Sequence, residues 1–172
     1  MGYVEVAARL LVATVFVVAL AGKVGSRRAY TAFADSLRQM RVVPAGLVAP
    51  AAAGSVAAEV AVVALLLVPA SWAAVAGFVI AAGLLAVFAG AIALSLRTGN
   101  RAPCRCFGAS STPLGRGHIV RNAVLIAIAL TGLAAAAGGS AIAVPGAIVA
   151  GGAGLVVGIV VTAYDDIAAL FR

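Results

Sequence analysis

Long apolar stretches alternate with short polar connections along the chain of 172 residues. Five stretches reach the ~20 residues that a helix needs to cross a bilayer, and they cover 4–22, 45–68, 71–96, 119–137 and 141–163. Because backbone groups in lipid must be hydrogen-bonded within their own segment, each stretch is predicted to be a helix. The pattern predicts an all-α, polytopic transmembrane bundle with about five spans in a single integral membrane domain, 1–172. Four spans result if one stretch is re-entrant.

Two of the connections are short and uncharged. Pro69-Ala-Ser71 joins the second and third spans, and Gly138-Gly-Ser140 joins the fourth and fifth, so each pair is predicted to form a helical hairpin. Pro50 and Pro145 fall near predicted helix starts, where proline is tolerated. The first span has no basic stretch ahead of it, and we therefore expect it to be retained rather than cleaved as a signal peptide.

The connection after the first span has a helical period of its own. Between Ser26 and Val43, apolar side chains recur at intervals of three and four, namely Tyr30, Phe33, Leu37 and Met40. Arginines fall largely between them, which predicts a short amphipathic helix. Two interpretations remain open: the helix lies in the membrane interface with its arginines toward anionic headgroups, or it packs on the surface of the bundle.

Composition excludes a soluble domain and sets an orientation. Charged residues make up 10% of the chain, against roughly 25% in soluble domains. Apart from Arg9, every Lys and Arg lies in or beside the first and third connections or at the C-terminus. This bias predicts a multi-pass protein of the inner (plasma) membrane, with its N-terminus outside and its third connection and C-terminus cytoplasmic. The net charge of +7 is divided among short loops, so nucleic-acid binding is not expected.

Several charged residues fall inside the predicted spans. Glu5 and Arg9 are one helical turn apart in the first span, Lys23 ends that span, and Glu59 lies in the second. Counting ~1.5 Å per residue from the predicted span ends places Arg9 and Glu59 at similar depth, which predicts an ion pair between them with Glu5 nearby. Such a pair fixes helix register or, alternatively, belongs with Lys23 to a polar lining for a quinone head or a proton path. Snorkelling to the interface is the simpler explanation for Lys23.

The third connection, 97–118, holds the only two cysteines of the chain. Cys104 and Cys106 flank Arg105 in the sequence Pro-Cys-Arg-Cys-Phe-Gly. Nearby positive charge favours the reactive thiolate, and two cysteines at this spacing can close a small, strained and easily reduced disulfide. The pattern therefore favours thiol–disulfide exchange, with an inert pair or a metal site as alternatives.

Residues at the head of the fourth span belong to the same candidate site. His118, Arg121 and Asn122 share one face there, so His118 is a candidate proton carrier and Arg121 a candidate partner of the thiols. The metal alternative is Cu(I) held by Cys104, Cys106 and His118, since soft thiolates prefer that ion. In the last span, Gly154 and Gly158 permit close helix approach, within the bundle or in a homo-oligomer.

These features together resemble the MauE family, within the DoxX-like group of small membrane proteins. The resemblance rests on Arg9, Phe16 and Lys23, on the stretch from Phe33 to Pro44, on Glu59, on Pro103 to Gly108, and on the run from His118 to Asn122. It implies a role in methylamine utilisation, in maturation of a disulfide-containing enzyme beside a thioredoxin-like partner. By the same resemblance Cys104 and Cys106 are the redox pair, which exchanges electrons with a thioredoxin-like partner or quinone. The alternative function is a non-enzymatic assembly or accessory membrane subunit in which the cysteines are structural or bind copper.

The expected chemistry and the expected orientation favour opposite faces of the membrane for the cysteine loop. Disulfide formation in exported proteins takes place on the outer face, whereas the arginine distribution puts the cysteines inside. Either the pair takes electrons from a cytosolic thioredoxin-like protein and passes them through the bundle, or the loop folds back into the membrane. The lipid bilayer is a partner in both cases.

Overall fold

Six α-helices and one short 3-10 turn account for most of the computed structural model, which describes residues 1–99, 115–139 and 143–169. The helices are α1 (Gly2–Val24), α2 (Arg27–Met40), α3 (Val48–Leu67), α4 (Ser71–Arg97), α5 (Arg116–Ala137) and α6 (Val144–Ala169), with the 3-10 turn at Ala45–Leu47. All but α2 contain a segment long and apolar enough to cross a membrane. The predicted all-α bundle with five spans is confirmed.

The helices around the third connection extend further than the apolar pattern indicated. α4 continues to Arg97, and α5 begins at Arg116 after Gly115, so His118 lies in the first turn of a helix. Helix α4 thus ends one residue beyond the predicted third span, and α5 begins three residues before the predicted fourth span. Apolarity marks the part of a helix that lies in lipid, whereas a polar first turn beyond the hydrocarbon is invisible to it.

Two long-range contacts fix which helix ends lie together. Arg9 Nη2 donates to the carbonyl of Ala70 in the α3–α4 turn at 3.3 Å, and the Ala143 amide donates to the Tyr3 hydroxyl at 3.3 Å. The start of α1 therefore lies beside both short hairpin turns, and we call this the hairpin end. The opposite end holds the end of α1, the end of α4 and the start of α5, and we call it the cysteine-loop end.

The central core is apolar and is assembled around α1. Val12 and Phe16 of α1 are buried with Leu66 of α3, Phe78 of α4 and Leu125 of α5 in one cluster. Helix α6 packs on the outer side of α1, while α4 packs between α3 and α5. Helix α1 therefore contacts all four other spans, and its own polar residues must be accommodated inside the bundle.

The amphipathic helix α2 covers part of the cysteine-loop end. Its N-cap residue is Ser26, whose side-chain Oγ accepts a hydrogen bond from the Ala29 amide at 3.0 Å. Phe33 and Leu37 are buried against Val48 and Ala52 in the first turns of α3, and Met40 is buried against α4. Of the two interpretations left open by the sequence, packing on the bundle is observed, and the arginines of α2 remain exposed.

The Gly-x-x-x-Gly pair of α6 brings that helix against α1. A Cβ at Gly154 would overlap the backbone carbonyl of Ala7, and one at Gly158 would lie 2.9 Å from Thr14 Cβ and 3.0 Å from the Leu11 carbonyl. The pair is therefore used within the bundle, because any side chain there would force the two backbones apart.

We expect Gly154→Ala to lower the free energy of unfolding by about 1–3 kcal/mol, since the added methyl overpacks a contact with backbone that cannot rotate away. Gly152→Ala is the matched control on the same helix, because a Cβ there meets no atom within 4 Å. Detergent-induced unfolding of the purified protein measures both. Equal effects of the two substitutions would argue against the close α1–α6 contact.

Candidate functional site

Buried polar side chains concentrate toward the cysteine-loop end of the bundle. The buried polar residues that the structure describes are Lys23, Ser36, Ser55, Glu59, Ser95, His118 and Asn122. Each lies on α2 or within about three helical turns of a helix terminus at that end. Polar groups in a membrane interior are costly and tend to be functional, so this polar cluster is the candidate site.

An ion pair between α1 and α3 forms the centre of the polar cluster. Lys23 Nζ donates to Glu59 Oε1, and both side chains are only 1% exposed. The predicted pair between Arg9 and Glu59 is therefore wrong, and Lys23 does not snorkel to the surface. Glu59 instead neutralises a lysine that has left water completely, which is the usual way to accommodate such a charge in a membrane.

The packing of α2 explains why the depth estimate failed. That estimate assumed that the second span starts level with the end of α1. In the structure the first turns of α3, at Val48 and Ala52, pack on Phe33 and Leu37 of α2. Helix α3 thus begins beyond the end of α1, and its middle comes level with Lys23.

Two aromatic rings enclose the ammonium group. Lys23 Nζ lies 5.0 Å from the centroid of the Phe33 ring and 5.4 Å from that of Phe88. Cations within about 6 Å of a ring centroid are attracted to its face, most strongly when water is excluded. Helices α1, α2, α3 and α4 therefore each contribute one side chain to this cage, so α2 is part of the site.

Some hydrogen-bonding capacity in the polar cluster is not used by the described residues. Glu59 Oε2, Ser55 Oγ and both amide atoms of Asn122 are buried and have no hydrogen-bond partner within the described ranges. Ser55 and Glu59 are one turn apart on the same face of α3. Since buried polar groups are nearly always satisfied, these atoms are available to water, a proton or a small polar ligand.

Arg9 lies at the other end of the molecule. It forms an ion pair with Glu5 at 3.1 Å, with the two side chains 14% and 19% exposed, and it donates to the Ala70 carbonyl. The structure thus separates Arg9 from Lys23 and Glu59, with which the sequence had grouped it. Its contacts tie the start of α1 to the α3–α4 turn.

The head of α5 contributes the remaining predicted residues. His118 and Asn122 are buried, 8% and 0% exposed, on successive turns of one face. Arg121 is partly exposed and lines an open recess between α5 and α6 of about 370 Å³, together with Gly117, Val120, Val124, Val160 and Val161. His118 and Asn122 therefore face the bundle interior, while Arg121 faces this recess.

The cysteines themselves lie outside the described residues. Cys104, Arg105 and Cys106 belong to a connection whose described flanks are Gly99 and Gly115, both at the cysteine-loop end. Within the described ranges no three His, Cys, Asp or Glu side chains come together as a metal site. The Cu(I) alternative, which needs both cysteines, is untested by this observation.

Sequence reasoning overlooked three members of the polar cluster, Ser36, Ser55 and Ser95, and also the ring of Phe88 that faces Lys23. Phe88 sits in a uniformly apolar span, where no signal distinguishes a ring that faces a cation from one that faces lipid. Ser55 did carry a signal, because it precedes Glu59 by four residues and so shares its helix face.

Comparison with known proteins identifies one family. The family model described as methylamine utilisation protein MauE matches residues 1–135, which include the whole polar cluster and both cysteines. No curated protein and no solved structure gives a significant match.

Proposed function

Because the chain belongs to the MauE family, we propose that this multi-pass membrane protein carries out thiol–disulfide exchange through Cys104 and Cys106 in methylamine utilisation. Its partner is a thioredoxin-like protein, and the product is a disulfide-containing enzyme in its mature form. The observation that carries the proposal is the concentration of buried polar groups, centred on Lys23 and Glu59, at the end of the bundle to which the cysteine loop is attached.

The exchange is a two-electron reaction between dithiols. A partner thiolate attacks one sulfur of the Cys104–Cys106 disulfide, the S–S bond breaks, and the other cysteine leaves as a thiolate. The second partner thiol then attacks the mixed disulfide, which releases the reduced pair and an oxidised partner. Two protons from the partner thiols end on the cysteines. The reverse sequence reduces an oxidised partner and re-forms the Cys104–Cys106 disulfide.

The neighbouring residues supply what this chemistry needs. Arg105 and the flanking arginines favour the thiolate of each cysteine. His118, at the first turn of α5, is the group nearest in sequence that exchanges a proton near neutral pH. The unused oxygen of Glu59 and the hydroxyl of Ser55 offer further polar positions within the bundle.

Orientation decides which compartment supplies the partner. Apart from Arg9 at the hairpin end, the described basic residues lie at the cysteine-loop end, namely Lys23, Arg27, Arg28, Arg38, Arg41, Arg97, Arg116 and Arg121. Positive charge favours the cytoplasmic side. We therefore propose that the cysteine loop lies on the cytoplasmic side of the inner membrane. In the cytoplasm a thioredoxin-like donor keeps thiols reduced.

Thiol labelling in cells tests both parts of this proposal. After poised glutathione buffers have equilibrated with permeabilised cells, labelling of Cys104 and Cys106 is expected to fall cooperatively as the poise becomes oxidising. Cys104→Ser is the control, because its lone Cys106 cannot close the intramolecular disulfide. In intact, reduced cells a membrane-impermeant maleimide is expected to label neither cysteine.

Two results would contradict the proposal in distinguishable ways. If Cys104 and Cys106 stay fully reduced at every physiological glutathione redox poise, thiol–disulfide exchange is contradicted. Labelling of reduced, intact cells by the impermeant reagent leaves the chemistry standing but reverses the orientation.

A further inference from the structure

The outward face of α2 carries cationic side chains that no carboxylate with a described side chain neutralises. Arg38 is paired with Asp35 at 3.1 Å, and the other acidic residues with described side chains, Glu5 and Glu59, are engaged elsewhere. Arg27 and Arg28 are exposed and take part in no ion pair in the described part of the chain. Their charge is available to an external anion.

A recess opens beside Arg27 at the junction of α1 and α2, and Arg28 is the next residue along α2. The recess has a volume of about 340 Å³ and is lined by Val24, Ser26, Arg27, Tyr30 and Thr31, and pockets that hold small ligands begin near ~300 Å³. The hydroxyls of Ser26 and Thr31 already bond to the backbone of α2. Arg27 is therefore the ionic group of the recess, between the apolar surfaces of Val24 and Tyr30.

The recess lies where a membrane-spanning helix leaves the hydrocarbon. Val24 is the last residue of α1 and is 48% exposed, and α2 turns away immediately after it. A ligand in the recess would meet apolar surface on one side and arginine on the other. Basic clusters directly beyond a transmembrane helix attract anionic lipid headgroups, whereas a soluble acidic protein would gain nothing from the apolar wall.

We propose that the recess at the α1–α2 junction binds the headgroup of an anionic phospholipid, with its phosphate on Arg27 and Arg28 and its glycerol region against Val24 and Tyr30. Tyr30 packs on the cluster that contains Phe33, and Phe33 covers Lys23. A bound headgroup therefore fastens α2 over the buried Lys23–Glu59 pair. The polar cluster is more tightly closed in an anionic membrane than in a zwitterionic one.

The test compares two variants of α2 that lose the same charge. Purified protein in neutral detergent is titrated with phosphatidylglycerol, and the rise in unfolding temperature and the retention of α2 amide hydrogens are followed. Since each cation near an anionic surface contributes roughly fivefold in affinity, the Arg27→Gln/Arg28→Gln variant is expected to bind about 25-fold more weakly. Arg38→Gln/Arg41→Gln, at the other end of α2, is expected to bind as the wild type does.

Thr31→Trp keeps every charge and fills the recess, so it too is expected to abolish the protection by phosphatidylglycerol. If both double variants bound phosphatidylglycerol equally weakly, the effect would be a general attraction of arginines for anionic lipid. That result would overturn the proposed site. Equal protection by phosphatidylcholine would overturn the choice of an anionic lipid, and equal protection by inorganic phosphate would overturn a lipid altogether. None of these readouts depends on Cys104 or Cys106.

Discussion

Replacing Glu59 by Gln is expected to lower the free energy of unfolding by about 3–5 kcal/mol, because removing one partner leaves the other charge buried and unpaired. Lys23 cannot reach water by a small movement, since it is 1% exposed and enclosed by Phe33 and Phe88. Lys23→Met is expected to cost a similar amount, because it strands the Glu59 carboxylate. Either variant should also loosen α2, whose Phe33 faces the ammonium.

The double variant Lys23→Met/Glu59→Leu separates pairing from simple burial. It removes both charges and fills similar volume, so it is expected to recover most of the stability lost by each single variant. Glu5→Gln is the matched control for the loss of a paired carboxylate. The Glu5 and Arg9 side chains are 19% and 14% exposed, so a loss below about 1 kcal/mol is expected there.

Detergent-induced unfolding of the wild type, Lys23→Met, Glu59→Leu and the double variant Lys23→Met/Glu59→Leu completes a double-mutant cycle. A large coupling free energy between positions 23 and 59 is expected, because the two side chains are in direct contact. Additive losses would contradict the pairing. A double variant that folds normally and has lost thiol exchange would show that the pair contributes to the chemistry as well as to stability.

The number of spans and the amphipathic helix could be read from the sequence because each depends on a local pattern. A span needs only a sufficient apolar length, and α2 needs only apolar residues at helical spacing. Gly154 and Gly158 indicated a close helix–helix contact for the same reason, since close approach requires small residues four positions apart on one helix face. All of these features appear in the structure.

The partner of Glu59 depends instead on how helices are staggered. Arg9 and Lys23 are both cations in α1, and the choice between them depends on where α3 begins relative to the end of α1. That stagger is set by α2, on which the first turns of α3 rest. Apolar length does not encode such an offset. For the same reason Phe88 could not be recognised as a wall of the cage.

Variants that keep one of the two cysteines are expected to trap the redox partner as a covalent adduct. The variant without either cysteine is expected to trap none. When the reduced pair attacks an oxidised partner, the exchange passes through a mixed disulfide that the second cysteine of the pair resolves. When that resolving cysteine is replaced by serine, the intermediate persists. One of the variants Cys104→Ser and Cys106→Ser is therefore expected to accumulate a covalent adduct. The double variant should form none, since it lacks the attacking sulfur.

The direct test is non-reducing electrophoresis of membranes from cells grown on methylamine, after thiols have been blocked by acid quenching and alkylation. The account predicts a band that contains this protein and a thioredoxin-like partner, present in one single variant, absent from the double variant and removed by reductant. Absence of any adduct from both single variants, with both proteins folded in the membrane, would contradict thiol–disulfide exchange as the function of the Cys104–Cys106 pair.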